Sequence, residues 1–175
     1  MVIQKIKYNQ GGLSAIEERK VMIGALQQTR QDVICELFKL IPRDKIDKIF
    51  SESNTATAEL NYTFLGFEKV YKAVTMFVPK SKIIIDLGCG YAFQSWYFKD
   101  YKKYIGVDCS TSYTDVLKTE NSQFFFMSIQ KFIKEQFLKL EYKKEDIFAV
   151  CSYVPDEKAR MMVKEYFPYC LVYYP

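Results

Sequence analysis

Residues 82–98 read KIIIDLGCGYAFQSWYF. Ile83, Ile84 and Ile85 form a continuous β-branched run that stops at Asp86. A short, unbroken apolar run of this kind suits a strand covered on both faces. Gly88 and Gly90 follow, two residues apart. Without side chains they permit a tight turn and let a ligand approach the backbone closely. The next stretch, 91–101, reads as a helix, whose first N–H groups have no partner within the helix.

Downstream the same alternation repeats. YIGVD (104–108) reads as a second strand and residues near 112–120 as a short helix. QFFFM (123–127) reads as a third strand. Residues 129–143 place Ile129, Phe132, Ile133, Phe137 and Leu140 on one side of a helix. DIFAVCSY (146–153) is a fourth strand, EKARMMVKEYF (157–167) a helix and YCLVYY (169–174) a last strand. Strands alternating with helices predict an α/β fold: a three-layer, doubly wound sheet of five mainly parallel strands, with right-handed crossovers.

Upstream the pattern is helical. Leu60, Phe64, Phe67, Val70, Val74 and Phe77 recur at helical spacing until Pro79. Ser14 and Glu17 fit a capping box ahead of a helix carrying Ile16, Ile23, Leu26, Ile34, Leu37 and Ile41. A short helix is expected near 43–50. The polar stretch 51–59 reads as a loop, and residues 2–8 as a strand or extended arm. The expected division is an N-terminal arm and helical cap, 1–78, and a core, 79–175, in a single compact unit. The cap is expected over the mouth of the core, with 51–59 and the helix after it as a lid.

At 175 residues, one domain buries about 70% of its extended-chain surface and needs no disulfide or metal staple. Five cysteines form no CxxC pair and no compact zinc motif. That usage favours a cytoplasmic setting, and neither a signal peptide nor a membrane span is read from the chain. The net charge of +4 permits an anionic partner without demanding one. The 14 Tyr and 14 Phe suit core and near-surface packing. No histidine is present, so a Ser-His-Asp or Cys-His engine is excluded.

Asp108 ends the second strand, 20 residues beyond Gly88. An acid there can accept hydrogen bonds from both hydroxyls of an adenosine ribose while the ligand lies on the glycine turn. A P-loop is absent. The third glycine of a dinucleotide fingerprint is replaced by Phe93, which disfavours a pyrophosphate.

Asp86-Leu87-Gly88-Cys89-Gly90 resembles the first motif of class I S-adenosylmethionine-dependent methyltransferases, and Tyr104-Ile105-Gly106-Val107-Asp108 resembles their second. The resemblance spans about residues 80–175. It implies the strand order 3-2-1-4-5 and S-adenosylmethionine as cofactor. It also implies that Gly88 and Gly90 carry the methionine end, that Asp108 holds the ribose, and that Asp86 orients the turn and the cofactor's amino group. Ala92 stands where the motif's third small residue is usual. Tyr91 is a candidate to cover the methionine end. Ser128 and Ile129, after the third strand, are candidates for the adenine, in place of the family's usual carboxylate. Cys89, Cys109 and Cys151 should each sit at the carboxyl end of a strand and border the same site. Ser152 and Tyr153, after the fourth strand, are the catalytic candidates on the acceptor side. The family's Asn/Asp-Pro-Pro-aromatic run and its Pro-Cys nucleophile are both missing there.

The implied reaction is in-line methyl transfer to a small-molecule acceptor. RNA as acceptor, and a protein that binds the cofactor without catalysis or serves as a structural partner, are the alternatives. The family's last two strands have no counterpart after YCLVYYP. The fifth strand is therefore expected to present a bare edge, open to a homodimer or a partner chain.

Overall fold

The computed structural model describes residues 40–45, 48, 70–90, 92–109 and 117–174. Tyr91, the arm at 2–8, the loop at 51–59 and most of the expected helices at 13–41, 60–77 and 112–120 lie outside them.

Five parallel strands form one sheet: β1 (Ile83–Leu87), β2 (Lys103–Asp108), β3 (Ser122–Phe126), β4 (Ile147–Ser152) and β5 (Cys170–Tyr173). Their order is 3-2-1-4-5, the Rossmann-like order expected. β1 is central, and all five of its residues are buried. Its neighbours register Asp86 against Gly106 on β2 and Val150 on β4.

Alternate residues of the strands feed two cores. Ile83, Ile85, Leu87, Ile105, Val107, Ile147, Ala149 and Cys151 meet Ile129, Phe132, Ile133 and Phe137 on one side, with Ala159, Val163 and Phe167. The Ile129–Phe137 group comes from one helical segment, and Ala159 and Val163 from a second, which Phe167 caps. The first, α2, runs through Ile129–Lys131, Phe132–Gln136 and Phe137–Leu140. The second, α3, is Glu157–Tyr166. On the opposite face, Ile84, Tyr104 and Val150 meet Phe98, Tyr101, Tyr71, Val74 and Val78. Tyr71 and Val74 belong to α1, the helical residues 70–77. The result is three layers, with apolar strands covered on both sides as continuous hydrophobic runs require.

Two expected helices take different shapes. The stretch 91–101 yields only a 3-10 helix, Phe93–Phe98. Gly88, Gly90 and Ala92 all have positive φ, so the chain is still turning when a full helix would have begun. Residues 129–143 start as an α-helix, widen to π geometry over Phe132–Gln136 and tighten to 3-10 over Phe137–Leu140. Glu141, at φ 53°, ends them. The widening keeps Phe132, Ile133 and Phe137 all buried on the sheet, a geometry that sequence periodicity does not distinguish from a regular helix.

β5 pairs with β4 alone, so among the described residues its outer edge carries no strand. Among the same residues no helix is long and apolar enough to cross a membrane.

Candidate functional site

Strand order reverses between β1 and β4, and in such sheets the carboxyl ends of the strands flank a crevice. A cleft of about 280 Å³ opens there, lined by Gly88, Asp108, Cys109, Met127, Ser128, Ile129, Gln130, Tyr153, Val154, Pro155, Asp156 and Ala159. A larger apolar groove, about 390 Å³, lies between Phe77 of α1 and Leu171 of β5. It sits at the opposite, amino end of the sheet, and apart from Lys82 and Tyr169 its walls carry no titratable group.

The glycine turn is built from β1 and β2 together. The N–H groups of Gly88 and Cys89 donate to the Val107 carbonyl at 2.7 and 3.1 Å. Gly90 N–H donates to Oδ2 of Asp108 at 2.8 Å, which fixes that carboxylate beside the turn. Met127 N–H donates to the Asp108 carbonyl at 3.0 Å and brings the end of β3 into the same group. The two glycines serve different needs. At φ 83°, a Cβ on Gly88 would collide with the Val154 side chain; at φ 54°, a Cβ on Gly90 would meet no atom of the described residues within 4 Å. Gly88 therefore admits the loop after β4, and Gly90 leaves open space beside Asp108.

Asp86 does not line the cleft. It is fully buried on the α1 side of the sheet and accepts three hydrogen bonds. Tyr71 donates to Oδ1 at 2.8 Å. Tyr104 donates to Oδ2 at 2.6 Å, and Gln94 Nε2 to the same oxygen at 2.8 Å. Burial raises its pKa from 3.8 to about 6, with the three donors opposing the rise and Asp108 adding to it. Burial likewise pushes the Tyr71 and Tyr104 phenols up, so both remain donors at neutral pH.

Cys89 and Cys151 are buried and are not lining residues. Burial raises the Cys89 thiol and pushes Cys151 up to about 12. Neither is a thiolate at neutral pH, and nucleophilic thiol chemistry is closed to them. Cys109 is exposed and lines the cleft. Among the described residues no cluster of Cys, Asp or Glu is arranged to hold a metal ion.

Ser128 and Ile129 border the cleft from the start of α2. The Ser128 hydroxyl accepts from Lys131 N–H at 3.2 Å as a helix cap. On the other wall, Tyr153 has φ 60°, a left-handed backbone that costs about 1–3 kcal/mol for a non-glycine residue. Its N–H donates to the Tyr173 carbonyl at 2.8 Å, and its ring lies edge-on to Tyr173, 5.4 Å between centroids. Ser152 is 2% exposed, does not line the cleft, and has no hydrogen-bond partner for its Oγ among the described residues. Buried hydroxyls are ordinarily satisfied, which makes Ser152 an unusual end to β4.

The loop after β4 is braced from both sides. Arg160 Nη1 donates to the carbonyls of Val154 and Pro155 at 2.6 and 2.8 Å. Gln130 Nε2 donates to Asp156 Oδ2 at 2.6 Å and joins the two walls. Asp156 Oδ1 also caps α3 by accepting from Ala159 N–H at 3.2 Å. These contacts hold the Asp156 carboxyl below the usual range.

Sequence reasoning missed Gln94, Tyr71, Tyr104 and Val154. Gln94 carried a faint signal, as a neutral amide inside the otherwise aromatic FQSWYF. The two tyrosines looked like any others until the fold brought them to one carboxylate.

No protein-family model matches the chain, and no curated protein matches it. Among solved structures it is similar to the plantazolicin methyltransferase BpumL, determined in complex with SAH. The two are 15% identical with a TM-score of 0.43, over 84% of this chain and 58% of that one. This chain thus spans less than two thirds of that enzyme, and likeness at this level carries no argument about function.

Proposed function

We propose that the protein binds S-adenosylmethionine in the cleft between the β1 turn and the loop after β4, and transfers its methyl group to a small acceptor. One observation carries the reading. The Asp108 carboxylate is fixed by Gly90 N–H at 2.8 Å, at the edge of a cleft that Gly88 and Asp108 line together. A glycine turn and an acid on adjacent strand ends suit an adenosine ribose and the tail attached to it.

The residues present fit such a ligand. Asp108 accepts the ribose hydroxyls, and the open space at Gly90 takes the amino-acid end. Ile129, Met127 and Ser128 provide an apolar shelf with one hydroxyl for the adenine. When bound, the cofactor supplies an electrophilic sulfonium methyl. Tyr153 and Val154 are proposed as the acceptor side, with Ser152 buried directly behind them in the chain. Their task is to align a lone pair with the methyl and to exclude water. An acceptor with its own lone pair needs no general base, which agrees with a chain lacking histidine. Residues 1–78 are proposed as the cap that supplies further acceptor contacts.

Calorimetry with S-adenosylmethionine and S-adenosylhomocysteine tests the reading. Wild type is expected to bind in the micromolar range. Asp108→Ala is expected to weaken binding at least tenfold, about 1.4 kcal/mol, and NAD to give no heat. Equal affinity in wild type and Asp108→Ala overturns the role of Asp108; absence of binding overturns the proposal.

A further inference from the structure

The cleft stops short of the space that its proposed ligand needs. Gly88 lines it and Gly90 does not, although the room for the amino-acid end lies beside Gly90. At about 280 Å³ the cleft also falls below the roughly 300–1,000 Å³ typical of sites that enclose a small ligand. At its Gly88 end stands Val154. A Cβ built on Gly88 would overlap Val154 Cγ2, so this side chain already fills the room that the bare glycine leaves.

The chain around Val154 is held in place from several directions. β4 ends at Ser152, and the left-handed backbone of Tyr153, φ 60°, turns the chain out of the sheet. Tyr153 N–H is tied to the Tyr173 carbonyl at 2.8 Å. Arg160 Nη1 holds the Val154 and Pro155 carbonyls at 2.6 and 2.8 Å, and its guanidinium lies 4.3 Å from the centre of the Tyr174 ring. Gln130 holds Asp156 from the other wall at 2.6 Å. A left-handed non-glycine residue persists only where its surroundings keep it there. Here the contacts beyond Tyr153 are exposed or half-exposed, and each is individually weak.

We propose that residues 153–156 form a latched strap: in the free protein Val154 closes the cleft at Gly88, and the ligand seats fully only when the strap lifts. The inference rests on the cleft being the S-adenosylmethionine site. A protein with two loop states binds with an affinity reduced by the fraction that is open, so a change that loosens the latch tightens binding. Lifting relieves the strain at Tyr153 and exchanges exposed hydrogen bonds for bonds to water. Tyr153 and Val154 are also the proposed acceptor side, so the strap couples seating of the cofactor to placement of the acceptor wall.

Surface plasmon resonance with S-adenosylhomocysteine on the full chain tests the inference through two variants. Val154→Ala shortens the side chain that covers Gly88. Arg160→Met removes the donors to the Val154 and Pro155 carbonyls. Arg160 does not line the cleft, so its effect reaches the ligand only through the loop. Each variant is expected to bind roughly threefold to tenfold more tightly than wild type, through faster association. A side chain that is only a wall of the site behaves oppositely, since trimming it speeds dissociation. Hydrogen–deuterium exchange supplies a readout without ligand. Uptake over 153–156 is expected to rise in Arg160→Met while the β1 amides stay protected, which also shows that the variant is folded.

Binding by wild type that is unchanged or weaker in either variant overturns the strap and leaves the cleft assignment standing. Faster exchange over 153–156 without tighter binding overturns it too, because the loop then moves without bearing on the ligand. No binding by wild type or by either variant overturns the cleft assignment and this inference with it.

Discussion

Replacing Asp86 with Asn has a consequence for folding that is calculable from the fold. The unfolded chain titrates this residue at the ordinary 3.8, and burial raises it to about 6 in the folded protein. A group whose folded pKa lies above its unfolded value stabilises the fold fully below the unfolded value, and the contribution disappears as pH rises through the folded one. The gap corresponds to about 3 kcal/mol at the acid limit, at about 1.4 kcal/mol per pKa unit. Between pH 7.5 and pH 5 the linkage relation yields about 1 kcal/mol of it, a rise of a few degrees in Tm for a domain of this size. Urea unfolding of wild type and Asp86→Asn at pH 5, 6 and 7.5 measures it. The difference in unfolding free energy between the two proteins is expected to change by about 1 kcal/mol across that range, with wild type gaining as pH falls. Parallel curves would refute the reasoning, since they would mean that Asp86 titrates alike folded and unfolded. The direction also bears on design. The fold is firmest with Asp86 protonated, so at neutral pH the protein holds a buried charge that lowers its stability.

Other substitutions separate the roles of neighbouring residues. Gly88→Ala combines a positive φ with a collision against Val154 and is expected to cost roughly 2–5 kcal/mol. Gly90→Ala faces open space and is expected to cost about 1–2 kcal/mol for its backbone alone. Chemical denaturation of the pair checks the order. Ser152→Ala removes a buried hydroxyl that has no partner among the described residues and is expected to raise stability by about 1 kcal/mol while lowering methyl transfer; unchanged turnover with a suitable acceptor would leave Ser152 outside the reaction. Phe132→Ala empties a fully buried site between the Phe125 and Phe137 rings and is expected to cost about 3–5 kcal/mol, read as a lowered urea midpoint.

Much of the sheet was legible without coordinates because its strands are short apolar runs separated by turn residues. β1 is displaced by one residue from KIIID, and β4 lies within DIFAVCSY. The helices were less legible. FQSWYF looked like part of a longer helix, but three positive-φ residues ahead of it delay the start, and backbone sign is not written in side-chain periodicity. At the site, Gly88 and Asp108 were identified by position, and the fold brings them to one cleft. Cys89 and Cys151 were grouped with them by sequence position, yet their side chains are buried and do not line it.

The sequence by itself determined the alternation of strands and helices, the glycine turn behind β1 and the acid at the end of β2, because each is a local pattern of polarity or chain flexibility. Only the tertiary structure decided that Tyr71, Tyr104 and Gln94 converge on Asp86 and that Val154 rests against Gly88. These contacts join α1, the 3-10 helix, two strands and the loop after a third. Any tyrosine can donate a hydrogen bond and any glycine can admit a close neighbour, so their partners are set by the packing of the layers.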